Sequence, residues 1–160
     1  MRSHVLFAAG ASLAFVFRCA SAGPSIPFEV RWVFTQGPAN PTYLAITSRE
    51  RWLAFWKSMK IDQERFLRGL TPSVEEVPEI DFKRYTLIVA GAGTKPTGGF
   101  TISIKNVIEG KDSIRVSVIE TKPGPNCAGT TISASPFVGA FIPATTKRVI
   151  FDIATAKTDC

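Results

Sequence analysis

Short stretches in which apolar and polar residues alternate constrain the fold of this chain most. Such stretches run from Phe28 to Phe34, from Phe100 to Lys105 and from Ile114 to Val118. Successive side chains of a strand point to opposite faces, so each stretch predicts a strand with one buried face, with Val30 and Trp32 on the same face of the first. Further strands are predicted at 43–46, 85–90, 130–134, 137–142 and 148–153. The continuous apolar run of the stretch 85–90 is typical of a central strand.

One segment has the periodicity of a helix instead. At 100° per residue, four large side chains fall on one stripe and predict an amphipathic helix over about 48–60. They are Trp52, Phe55, Trp56 and Met59. Thr47 and Glu50 have the spacing of a capping box, and a further helical turn is predicted near 63–67. The fold class that follows is α+β and mainly β: an antiparallel β-sandwich or partly open barrel with this helix packed on it.

The first 22 residues have the three parts of a secretory signal. Arg2 is positive, Val5 to Phe17 is apolar but too short to span a bilayer, and small residues lead up to Ala22. We therefore expect cleavage after Ala22 and a single exported domain of residues 23–160. No stable membrane span is expected afterwards. A retained N-terminal anchor and lipidation at Cys19 are the alternatives, although the preceding arginine disfavours lipidation.

Cleavage at this position would also change the chemistry that the chain can perform. It would remove His4, the only histidine, and one of the three cysteines. Catalysis by Ser-His-Asp or Cys-His groups and metal binding through histidine are then excluded, and we predict no catalytic residue, metal or cofactor. The remaining Cys127 and Cys160 are predicted to form a disulfide, which an exported domain permits. A free thiol at Cys160 and a link between two chains remain the alternatives.

A stretch of basic residues in the predicted helix and just after it suggests no nucleic-acid partner. The basic side chains there are diluted by acidic ones and lack an aromatic RNA motif, so we interpret them as a solvated face. They are Arg49, Arg51, Lys57, Lys60, Arg65 and Arg68.

A carboxylate-dependent hydrolase or carbohydrate-binding protein would need two carboxylates to converge in a cleft, and Glu75, Glu79 and Asp81 are the candidates.

The segment that follows Gly93 is the most distinctive local motif. It consists of Thr94, Lys95, Pro96, Thr97, Gly98, Gly99 and Phe100. Proline fixes φ and the two glycines permit positive φ, which suits either a hairpin turn or a recognition loop for a protein partner on a rigid scaffold. The segment lacks the lysine spacing and following helix of a phosphate-binding loop.

Four pieces of the sequence occur in the order found in one known family. They are Asp81-Phe82, Lys95 to Phe100, Pro123-Gly124-Pro125 and Ser135-Pro136-Phe137. Over about residues 80–153 the chain resembles the C-terminal domain of the protease-complex-subunit PrcB family. Phe100 and Phe137 stand where tyrosine is commoner in the family.

The resemblance implies an exported bacterial domain, in the periplasm or outside the cell. Together with the missing histidine, it favours a non-catalytic domain that binds a protein as the leading hypothesis. The family is named after a lipoprotein that associates with a surface protease, so a protease is a candidate partner. The turn from Pro96 to Phe100 is also distantly similar to the binding loop of chagasin-type cysteine-protease inhibitors, whose other loop motifs are not evident here. Protease inhibition is therefore the second functional hypothesis, and a carboxylate-dependent activity is the third.

Overall fold

A computed structural model describes residues 23–66, 77–127 and 130–159, so the predicted signal lies outside the described residues. Within these ranges, seven strands form two packed sheets and are accompanied by one helix. The strands are β1 (Glu29–Phe34), β2 (Pro41–Ile46), β3 (Tyr85–Ala92), β4 (Thr101–Glu109), β5 (Ser113–Pro123), β6 (Phe137–Pro143) and β7 (Arg148–Thr158), and the helix is α1 (Arg49–Phe66). The mainly β sandwich predicted from the sequence is confirmed.

The two sheets differ in the direction of their strands. The first sheet has the order β1-β6-β3-β2 and is antiparallel throughout, whereas the second has the order β4-β5-β7. In the second sheet β4 and β5 are antiparallel, as predicted, but β5 and β7 run parallel. A parallel pair needs a long crossover connection, and here the chain makes β6 in the first sheet before it returns as β7.

The first sheet is covered on both faces. Apolar side chains of β3 and β6 meet those of β4 and β5 on one face, while the other face packs against α1. Side chains 87–90 of β3 are completely buried, which confirms the central strand predicted from the apolar run. The molecule therefore has three layers, with the first sheet in the middle.

Helix α1 begins one residue later than the predicted capping box implies. The Oγ atom of Ser48 accepts a hydrogen bond of 3.3 Å from the backbone N–H of Arg51, so Ser48 caps the helix in place of Thr47. The four side chains of the predicted stripe are buried. The helix continues to Phe66 and absorbs the predicted separate turn, because neither proline nor glycine interrupts it.

Strand β1 does not bury one face in the predicted way. Val30 is opposite Ala140 and Trp32 is opposite Gly139, so Arg31 is an extra residue in a β-bulge. The bulge turns Val30 and Trp32 to opposite faces, although the alternation placed them together. Val30 is 45% exposed, because β1 is an edge strand.

The strand predicted at 130–134 is also absent from the structure. This segment makes only one isolated bridge, between Lys95 and Ala134. Its backbone groups bond to a loop rather than to a strand, and this pairing shapes the candidate site.

Candidate functional site

The loop from Thr94 to Phe100 crosses from one sheet to the other. It leaves β3 in the first sheet and enters β4 in the second, so the hairpin interpretation of this motif is wrong. Gly93 opens the crossing with φ at +72°, where a Cβ atom would also lie 2.7 Å from Cδ of Pro41. A residue with a side chain would therefore be strained at this position.

Backbone hydrogen bonds hold the loop at three points. The N–H of Lys95 donates to the carbonyl of Ala134 at 2.7 Å, and the N–H of Ala134 donates back at 3.2 Å. On either side, Thr94 N–H donates to Ala39 at 2.9 Å and Gly98 N–H donates to Thr130 at 3.1 Å. These hydrogen bonds tie the backbone of the loop to two other segments of the chain.

The close contact at Gly98 explains a glycine in this motif. A Cβ atom at Gly98 would lie 2.2 Å from Oγ1 of Thr130. A side chain at position 98 would therefore require the hydroxyl of Thr130 to move.

Part of the loop remains open to solvent despite these bonds. Thr94, Pro96 and Gly99 are exposed, and Ile132 on the neighbouring segment is 63% exposed. We call residues 94–99 together with 130–133 the loop surface. Sequence reasoning found the first half and missed the second, because the pairing of two distant loops leaves no periodic pattern.

Lys95, although part of the predicted motif, is engaged inside the molecule. Its Nζ atom lies 3.5 Å from Oε2 of Glu120 on β5, and the hydroxyl of Tyr43 on β2 donates to Oε1 of the same carboxylate. The side chains of Lys95 and Glu120 are 22% and 16% exposed. These three residues, which we call the polar cluster, join the loop to both sheets.

The polar cluster was missed at the sequence level, although a signal was available. Ile114, Val116 and Val118 face the core at alternate positions of β5, and Glu120 continues the same face. A carboxylate on a core-facing position requires a partner, since an unpaired buried charge is costly. The alternation therefore points to Glu120, but it does not reveal that Tyr43 and Lys95 are its partners.

Tyr43 provides a test of the polar cluster in solution. Burial raises the pKa of Tyr43 well above its ordinary value of about 10, and the hydrogen bond and negative charge of Glu120 raise this pKa further. Well below pH 10 the phenol is neutral in both the folded and the unfolded chain. Above it, only the unfolded chain readily releases this proton, so stability falls as pH rises from about 10.

We expect the phenol of Tyr43 to stay protonated in the folded protein where free tyrosine is half ionised. The sequence has two tyrosines, so a Tyr85→Phe variant isolates Tyr43 in an ultraviolet titration. Tyr43→Phe should also make unfolding less dependent on pH above about 10. Ionisation of Tyr43 at its ordinary pH in the folded Tyr85→Phe variant would contradict the buried contact with Glu120.

The carboxylates considered for hydrolysis do not form a buried pair. Glu79 and Asp81 are exposed and border a cleft of about 430 Å³ beside α1, while Glu75 lies outside the described residues. Asp81 Oδ1 accepts the backbone N–H of Lys83 at 3.0 Å, which stabilises the turn before β3. A catalytic acid needs partial removal from water, so this arrangement does not favour hydrolysis.

Among the described residues no group of histidine, cysteine and acidic side chains is suited to hold a metal ion.

The predicted disulfide involves a residue outside the described range, Cys160. The sulfur of Cys127 lies 3.6 Å from the carbonyl oxygen of Thr158, near the end of β7. Gly124 N–H donates to the same carbonyl at 3.0 Å. Cys127 therefore lies beside Thr158, the last residue of β7, and Cys160 follows Thr158 by two positions in the sequence. The bridge between the two cysteines stays a prediction.

In the part of the chain that the structure describes, no helix is both long and apolar enough to cross a bilayer.

A comparison with known protein families finds a match to part of this chain. The family model described as PrcB C-terminal matches residues 86–142. No curated protein and no solved structure matches the chain. The matched residues run from β3 to β6 and include the loop surface and Glu120, whereas Tyr43, α1 and β7 lie outside the match. The resemblance predicted from the sequence is therefore confirmed for residues 86–142, and this part of the chain is PrcB C-terminal-like.

Proposed function

We propose that this chain is an exported, non-catalytic domain that binds a protein of a protease complex through its loop surface. The observation that carries the proposal is the combination of a fixed backbone with exposed side chains at residues 94–99 and 130–133. A loop that already has its bound shape loses little conformational entropy on association, so more of the contact energy appears as affinity. The exposed Ile132 offers an apolar side chain to a partner.

The choice of partner rests on the family match and the choice of function on the inventory of side chains. The PrcB name of the matched family supports a protease complex as the partner. Residues 23–160 contain no histidine, and the described carboxylates of the candidate hydrolytic site are exposed. Both observations favour binding over catalysis.

A photo-crosslinking amino acid at position 132 tests the proposal in the producing cell. We expect a covalent adduct that mass spectrometry identifies as a component of a protease complex. The matched control carries the same amino acid at Leu53, an exposed apolar residue of α1 that is 39% exposed. Equal adducts at both positions, or none at position 132, would refute the loop surface as the contact, and a partner unrelated to proteolysis would refute the proposed role.

A further inference from the structure

A second cleft lies at the opposite end of the strands from the loop surface. It has a volume of about 840 Å³ and is formed by the end of β2, the first turns of α1, and the connection between β6 and β7. This volume is within the range of small-molecule sites in proteins, about 300–1,000 Å³. The cleft is large enough for more than a single ion.

The charges that line this cleft are all positive. Arg51, Lys147 and Arg148 contribute to the lining, which contains no acidic residue. The charge of Lys147 is neutralised by a residue outside the cleft lining, since its Nζ atom lies 2.8 Å from Oε1 of Glu109. Arg51 and Arg148 are exposed and have no carboxylate partner among the ion pairs of the described residues. Two guanidinium groups are therefore available to a ligand.

Hydroxyl groups complete the lining and the backbone beneath them is fixed. Thr86 is buried, and its Oγ1 accepts the N–H of Thr145 at 3.2 Å, while Thr145 Oγ1 accepts the N–H of Lys147 at 3.1 Å. The ammonium of Lys147 also donates to the carbonyl of Gly110 at 3.0 Å. These bonds hold the β6–β7 connection in one position, and the threonine hydroxyl hydrogens remain available as donors.

We propose that this cleft binds the phosphate group of a small phosphorylated molecule. Two guanidinium groups match the charge of a phosphate dianion, and each can donate two parallel hydrogen bonds to its oxygens. The threonine hydroxyls supply further donors. The remaining volume accommodates the organic part of the ligand beside the apolar lining residues Phe82 and Val149.

Titration with glycerol phosphate, followed by amide NMR, tests the cleft. We expect saturable shifts concentrated on the amides of residues 145–149, while inorganic phosphate binds several-fold more weakly and glycerol does not bind. Tighter binding of inorganic phosphate than of the ester would overturn the assignment to a phosphorylated molecule. Equal shifts with sodium chloride at the same ionic strength would reduce the effect to screening and overturn the site.

Variants of the two free arginines connect any binding to this cleft. Arg51→Gln with Arg148→Gln should weaken glycerol phosphate binding at least tenfold, and Arg148→Lys should weaken it less, because the charge remains but the paired donors do not. Arg49→Gln is the matched control, since Arg49 is exposed on the same helix but does not line this cleft. Amide spectra show whether each variant is folded, and an unchanged affinity in a folded double variant or in Arg148→Gln alone would refute the proposal.

Discussion

Replacing Trp52 by alanine is expected to lower the free energy of unfolding by about 3–5 kcal/mol. Trp52 is 1% exposed and stacks on Trp32 with 5.5 Å between the ring centroids. It also contacts the rings of Phe55 and Trp56. The substitution removes the largest fully buried side chain between α1 and the first sheet, and the remaining rings can fill the space only in part.

A hydrogen bond made by Trp52 adds to the stability that the substitution is expected to remove. The indole Nε1–H of Trp52 donates to the carbonyl of Pro78 at 2.9 Å, and this bond ties α1 to the segment before β3. Trp52→Phe keeps an aromatic ring but loses the donor, so we expect a smaller loss of about 1–3 kcal/mol. Urea unfolding that yields the same free energy for wild type and Trp52→Ala would contradict the packing of α1 on the sheet.

The strands and the helical stripe could be predicted because their patterns are local. Ile102 and Ile104 alternate with polar residues and are 5% and 7% exposed, as the period of two requires. The helical stripe is equally local, since residues three and four positions apart share a face. Each of these patterns arises from the backbone geometry of one helix or strand, so the sequence of that element is enough to predict it.

Features that depend on a partner segment could not be predicted in the same way. The bulge at Arg31 exists only relative to β6, and the parallel direction of β7 follows from the route of the chain through the other sheet. The loop surface is a similar case. Its glycines indicate a special backbone, but only the folded chain shows that Thr130 approaches Gly98.

Two charged substitutions on the loop surface are expected to weaken binding of the crosslinked partner about 100-fold or more. Pro96 and Ile132 are both exposed, so Pro96→Glu with Ile132→Glu should leave the fold intact. Within an interface, however, the new carboxylates would lose their water without gaining partners, which is costly. Where one of these residues is an energetic hot spot of the interface, its loss alone costs about 2 kcal/mol or more in binding.

The most direct test of the loop surface is therefore the dissociation constant of this double variant for the partner captured by the crosslink at position 132. The control is Leu53→Glu, which places one carboxylate on an exposed apolar position of α1. We predict a loss of about 100-fold or more for the double variant and a change of less than about threefold for the control, with both proteins folded. Wild-type affinity in a folded double variant would contradict the account.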